Sequence, residues 1–259
     1  MILRVLKFGG GVESTGAICG YQEREDKPDA IVFADTGGEI PRTYANVDAV
    51  DALIQSWGWE PIVRVAEKKT LEQHCLDTRR MPSVSYGRKS CSVRFKVEPF
   101  ERWIKGWGPA VAAWTAGQKV TVVIGYNVDE VARWSKAPPP SARFTYDYPL
   151  VAWKWSREDC LAACHRFRLD PCKSACFFCG SARKPEVRHL REDAPGLFAR
   201  AVSMERNARP FFGSIQGLGK RFSWEEMADA DDRQGALFEP EDEAGEVDID
   251  CECHEGVAT

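Results

Sequence analysis

Across 259 residues no uninterrupted apolar run approaches the roughly 18–20 residues of a bilayer span, so no membrane-crossing helix is expected. A secretory leader is not expected either. The first eight residues carry Arg4 and Lys7 and run straight into glycine, without a long apolar segment or a small-residue cleavage site. Both features predict a cytoplasmic protein with no membrane partner. Histidine is scarce, at four residues, and His74 and His189 read as structural or surface residues. No internal repeat is evident. Basic residues nearly vanish at the C-terminal end, where 225–259 holds fourteen Asp or Glu and only Arg233 as a cation. The first 224 residues hold 34 basic and 25 acidic side chains, so a formal net charge of −4 hides a positive body and a negative tail. A basic body suits phosphate-bearing partners, nucleotide or nucleic acid. The acidic, aromatic-poor tail from about residue 225 is expected to be disordered, either solubilising the chain or covering a basic cleft.

Cysteine is abundant, at ten residues. In a cytoplasmic chain that number argues against a disulfide framework and toward metal or thiol chemistry.

Strand and helix patterns alternate along the chain. Arg4–Phe8, Ala30–Ala34, Pro61–Val65 and Lys119–Ile124 read as short buried strands. Helical spacing is expected over Ser14–Glu25, Pro41–Trp57, Leu71–Thr78, Val93–Trp107, Ser156–Phe167 and Pro195–Asn207. The proline-rich 135–143 stretch reads as a surface loop. This order predicts an α/β fold: a Rossmann-like open, mostly parallel sheet with helices on both faces, plus a C-terminal cysteine-rich helical part. The expected domains are 1–155 for nucleotide binding, 156–224 for the cysteine cluster and 225–259 for the tail.

Between the first strand and first helix lies Gly9-Gly10-Gly11-Val12-Glu13-Ser14-Thr15. A glycine turn here lets backbone amides approach phosphate oxygens, and the helix N-terminus adds partial positive charge. Ser14 and Thr15 can donate to phosphate or cap the helix. The spacing fits neither dinucleotide fingerprints nor Walker loops. Strand ends at 8, 34 and 124 are expected at one sheet edge, where open α/β folds bind ligands.

The loop resembles the PP-loop, Ser-Gly-Gly-x-Asp-Ser, of the adenine-nucleotide α-hydrolase superfamily, with Gly9 and Glu13 replacing its first serine and its aspartate. FADTGGEIPRTY looks like the Asp-Thr-Gly-x-Glu segment of phosphoadenylyl-sulfate (PAPS) reductase-like proteins. KSCSVRFKVEPF, IGYNVDEVARW and YPLVAWKWSREDC are similar to three further segments of that family, in the same order. Ser90 stands in place of a tandem cysteine, and Asn127 in place of an arginine. The resemblance implies a nucleotide site built from Gly9, Gly10, Gly11, Glu13, Ser14, Thr15, Asp35, Thr36, Glu39, Gly125, Asp129, Glu130 and Arg133. It implies that Arg94, Lys96 and Arg133 face a phosphate or sulfonyl group. The ligand is then ATP, or adenylyl sulfate (APS) or PAPS, and Glu13 beside phosphates makes Mg2+ the natural cation.

Cys176-Phe-Phe-Cys179 places two thiols close enough to share a metal, and Cys172 adds a third. Cys91, in the segment that carries cysteine in the family, is the candidate fourth ligand. Resemblance to assimilatory APS reductases implies a [4Fe-4S] cluster; zinc completed by Cys164, His165 or Cys91 is the alternative. Phe177 and Phe178 would shield a cluster or simply fill the core, and Cys19, Cys75 and Cys160 read as core residues. Cys251 and Cys253, on the tail, are candidate catalytic or sulfur-relay thiols, as the mobile C-terminal cysteine of the reductases is.

Two enzyme classes follow. One is an ATP-using sulfurtransferase, resembling DNA-phosphorothioation and tRNA-thiolating enzymes, with a nucleic-acid acceptor and a cysteine-desulfurase partner. The other is an APS/PAPS reductase that releases sulfite through Cys253 or Cys251 and is reduced by a thioredoxin-like partner. A non-catalytic nucleotide- and metal-binding adaptor is the third class.

Overall fold

The computed structural model describes residues 2–235 apart from 83, 86–87, 136–138, 214 and 220. In chain order the longer elements begin with β1 (Arg4–Phe8), α1 (Val12–Glu23), β2 (Ala30–Asp35), α2 (Pro41–Ser56), β3 (Val63–Ala66) and α3 (Leu71–Thr78). Then come α4 (Glu98–Gly106), α5 (Gly108–Thr115), β4 (Val120–Ile124), β5 (Phe144–Asp147) and α6 (Arg157–Arg166). The C-terminal helices are α7 (Lys184–Asp193), α8 (Pro195–Ala208) and α9 (Trp224–Gly235). These elements group into two compact units, 2–67 with 93–175 and 68–92 with 176–235.

The first unit is built on a five-stranded, wholly parallel sheet in the order β3-β2-β1-β4-β5. Central β1 pairs with β2 from Val5↔Ala30 to Phe8↔Phe33, and with β4 from Arg4↔Thr121 to Lys7↔Ile124. Parallel strands need crossovers that cover both sheet faces, so their residues are apolar on both sides. Leu6, Phe8, Ile31, Phe33 and Val123 point to one face and pack with Ile18, Val47, Val50 and Ile54. The alternating set Val5, Val32, Val122 and Ile124 meets Phe100, Ile104 and Ala110 on the other. Each fully buried aliphatic side chain contributes about 1.5–3 kcal/mol. The expected Rossmann-like α/β architecture is therefore what the chain adopts.

The second unit is helical. Thr70 starts α3 with a reciprocal cap, its hydroxyl accepting from Gln73 N at 3.1 Å while Gln73 Oε1 accepts from Thr70 N at 3.0 Å. Glu205 of α8 is fully buried and takes backbone donors from Leu218 at 2.7 Å and Trp224 at 3.0 Å, together with the Ser223 hydroxyl. The carboxylate thereby caps α9, which is how a buried charge is tolerated here.

Several elements differ from the sequence reading for identifiable reasons. The stretch 93–107 is not one α-helix: Val93–Val97 forms a π turn before α4 begins. Pro99 has no N–H to return to residue 95, so a regular i→i−4 ladder cannot run through it. Helix α1 starts at Val12, two residues earlier than expected, because Gly11 is its N-cap. Strand β5 carried no sequence signal: it is a short edge strand, half-buried at all four positions. Residues 225–235 are helical, contrary to the expected disorder. Their acids are matched by arginines of α7 and α8: Arg188–Asp231 at 2.8 Å, Arg191–Asp232 at 2.6 Å and Arg206–Glu225 at 2.7 Å. Residues 139–143 are exposed, as the 135–143 loop required. No helix among the described residues is long and apolar enough to cross a membrane.

Candidate functional site

Because every strand of the sheet is parallel, the C-terminal ends of β1, β2 and β4 share one edge. The order β3-β2-β1-β4-β5 reverses direction between β1 and β4, and the crevice at such a reversal is where open sheets bind ligands. Gly9–Gly11 leaves β1 and Gly125 leaves β4 at this point.

Gly10 has φ +73°, and a side chain there would place Cβ 2.9 Å from Thr43 Cγ2 and 3.0 Å from Val47 Cγ2. Conformation and space both demand glycine. Gly125 lies under the first turn of α1, where a Cβ would sit 3.1 Å from the Ser14 backbone N. No side chain caps α1: Gly11 is extended, and Thr15 Oγ1 donates to Gly11 O at 2.8 Å. Ser14 Oγ accepts from Gly9 N at 3.2 Å and donates to Gly11 O at 3.2 Å, bracing the turn internally. A helix start of this kind carries partial positive charge toward the sheet edge.

Asn46 of α2, 6% exposed, donates to Gly10 O at 3.1 Å and to Thr15 Oγ1 at 2.9 Å. It clamps the loop from beneath and was missed in the sequence. Its signal was present: buried positions Thr43, Asn46, Val47, Val50 and Ile54 follow the helical period, so an amide stands on an apolar stripe. The backbone N of Ser174 borders Gly11, and Ala175 O accepts from Ile40 N at 3.0 Å, so 174–175 line the same edge.

The 35–39 turn is internally bonded. Asp35 Oδ1 accepts from Gly37 N and the Tyr44 hydroxyl, each at 2.7 Å. Burial and that bond hold the Tyr44 phenol well above its ordinary pKa. Thr36 Oγ1 accepts from Gly38 N at 3.2 Å, and buried Glu39 pairs with Lys96 Nζ at 3.1 Å. Lys96 and exposed Arg94 both lie on the π turn; Arg94 stands over the Phe95 ring at 5.8 Å. Lys96 thus reaches Glu39 in this structure.

After Gly125, Asn127 is 2% exposed and accepts from Asp129 N at 2.9 Å and Glu130 N at 3.1 Å. Asn127 therefore shapes the turn. Glu130 pairs with Arg133, whose guanidinium lies 4.5 Å over the Tyr126 ring. Burial raises the Glu130 pKa; Arg133 opposes the shift and Glu13 adds to it. Glu13 itself is held by the guanidinium of Arg157, a residue that the sequence reading placed in a helix but did not single out. The Arg157 backbone N–H also donates to Asp129 Oδ2 at 3.2 Å. The cation beside Glu13 in this structure is an arginine.

Gly9 to Thr15, Asp35, Thr36, Glu39, Arg94, Lys96, Gly125, Asp129, Glu130, Arg133 and Cys172 all belong to the first unit. Cys172 is half-buried there, and burial raises its pKa while Arg42 lowers it. Cys91, Cys176 and Cys179 belong to the second unit. The Cys176–Cys179 pair forms a turn, Cys179 N donating to Cys176 O at 3.0 Å, with Phe177 and Phe178 buried edge to face. Cys164 is fully buried, its thiol 4.0 Å from Val12 O, and solvent-exposed His165 lies 3.8 Å from Asp170. Among the described residues, no three His, Cys, Asp or Glu side chains converge as a metal site. Cys19, Cys75 and Cys160 are buried core residues, as expected. Cys251 and Cys253 lie outside the described residues.

No protein-family model matches the chain, and no curated protein matches it. Among solved structures, it is similar to the U34-tRNA thiolase NcsA from Methanococcus maripaludis with its [4Fe-4S] cluster. That similarity has a TM-score of 0.40 and 16% sequence identity, over 88% of this chain and 80% of the other.

Proposed function

We propose that this protein is a PP-loop enzyme that uses ATP to adenylate an acceptor oxygen and then directs sulfur to the activated atom, with nucleic acid as the acceptor class. The observation that carries this is the loop Gly9–Thr15 at the reversal point of a parallel sheet, beside an α1 N-terminus that no side chain caps. Supporting it are the five ordered segments of PP-loop resemblance and the positive balance of residues 1–224.

In the proposed reaction an acceptor oxygen attacks the α-phosphorus of ATP, the bond from that phosphorus to the bridging oxygen breaks, and pyrophosphate leaves on the glycine loop. A sulfur nucleophile then displaces AMP from the acceptor. The chain's own residues supply binding and orientation: loop amides take the phosphates, and Asn46 keeps the loop in register. Arg133 and Lys96 are cations of the same unit, each countered by a carboxylate that fixes its position.

The test is product analysis of anaerobically purified protein given ATP, APS or PAPS, with and without RNA or DNA. Pyrophosphate and AMP should appear from ATP and rise when nucleic acid is added. Sulfite from APS or PAPS, lost in Cys251→Ser/Cys253→Ser, would overturn the proposal in favour of the reductase.

A further inference from the structure

Glu13 is out of place on electrostatic grounds. It sits in the first turn of α1, inside the loop proposed to receive phosphates, and a bare carboxylate there repels them. The fold answers with Arg157. This residue opens α6 immediately after Ser156, whose capping box with Asp159 sets the start of the helix. Its guanidinium holds Glu13, while its backbone N–H is anchored on Asp129 of the β4 exit. One residue thus ties together the glycine loop, the 125–130 turn and α6. The pair is half-sheltered, with side-chain exposures of 34% for Arg157 and 22% for Glu13, so solvent screens it less than a surface pair. A second carboxylate, Glu130, stands within electrostatic reach of Glu13 and is matched by Arg133.

We propose that Arg157 is a positioning residue that acts through Glu13: by neutralising and holding that carboxylate it sets how much phosphate charge the loop accepts. The inference rests on the nucleotide-binding reading above and adds to it a specificity determinant. Removing Arg157 leaves Glu13 uncompensated against the ligand, so the loss should grow with ligand charge, larger for ATP and pyrophosphate than for AMP. Removing Glu13 as well should restore binding, because the repulsive group has gone too.

The experiment is calorimetric titration of ATP, AMP and inorganic pyrophosphate into the full-length wild type, Arg157→Gln, Glu13→Gln and the double variant. Melting temperatures confirm that each variant is folded. Arg157→Gln should weaken ATP and pyrophosphate binding by roughly tenfold or more, the scale of a charge-assisted contact, and AMP binding by less. Glu13→Gln should bind ATP at least as tightly as wild type, and the double variant should recover most of the loss. A double variant as weak as Arg157→Gln overturns the proposal, because Arg157 would then act on the ligand or the fold without Glu13. Equal losses for ATP and AMP overturn it as well. Failure of the underlying reading has a different signature: wild type that binds pyrophosphate but not ATP removes the adenine nucleotide, while the Arg157 effect is still judged on pyrophosphate. Wild type that binds neither polyphosphate refutes both.

Discussion

Replacing Gly10 by alanine tests the geometry of the loop directly. Its φ of +73° is left-handed, which costs an L-residue about 1–2 kcal/mol. The new methyl would also sit 2.9 Å from Thr43 Cγ2 and 3.0 Å from Val47 Cγ2, and overpacking of this kind costs about 1–3 kcal/mol. Alanine stiffens the unfolded chain, which returns about 0.4–1 kcal/mol. The net expectation is a loss of about 2–4 kcal/mol in urea unfolding followed by tryptophan fluorescence, for which the nine tryptophans supply signal. Thr43→Ser removes the nearer methyl, so in that background Gly10→Ala should cost less, with the Val47 contact and the conformational part remaining. Two results would refute the reasoning: a Gly10→Ala loss below about 0.5 kcal/mol, or one unchanged by Thr43→Ser.

Asn46→Ala deletes both donations to the loop and leaves Gly10 O and the Thr15 Oγ1 acceptor without that donor, an expected loss of about 1–3 kcal/mol in the same assay; Asn46→Asp, which sets a carboxylate against a carbonyl, should cost more, and equal stability at neutral pH would contradict the clamp. Glu130 has a raised folded pKa, so its stabilising contribution is complete below the ordinary carboxylate value and is lost as pH rises through that value to the raised one. Glu130→Gln should therefore flatten stability across that window, and an unchanged pH profile would count against a buried carboxyl. Cys75 is pushed up to about 12 by burial, Cys160 is raised by burial, and Cys19 is raised by its hydrogen bond with Cys164 and by burial. All three should resist iodoacetamide at mildly alkaline pH until denaturant is added, as peptide mass mapping would show; labelling in the native state would refute their placement.

What could be read along the chain was what local chemistry encodes. Short apolar runs became β1 to β4, because period and length distinguish a buried strand without reference to its neighbours. The three glycines and the acid–hydroxyl run announced a phosphate loop, because φ freedom and bare amides are properties of those residues themselves. The helix boundary at 93–97 was missed although Pro99 was in view, since a π turn ahead of a proline is one of several solutions. Strand β5 was missed because a half-buried edge strand has no alternation to detect. The helix at 224–235 was missed because its composition is that of a disordered tail; burial of Trp224, the Glu205 cap and three arginines from α7 and α8 outweigh that composition.

The site divides in the same way. The amino-acid sequence alone determined that a glycine loop would follow the first strand and that the following segments would supply acids and cations. Only the tertiary structure decided which of these meet. Asn46 reaches Gly10 across 36 residues, and Arg157 reaches Glu13 across 144. Lys96 meets Glu39 from a distant segment, whereas Arg133 meets Glu130 at the local i,i+3 spacing. A residue's conformational preference is carried by its own atoms, whereas a charge's partner is chosen by which chain segments the sheet order and helix packing bring within a few ångströms.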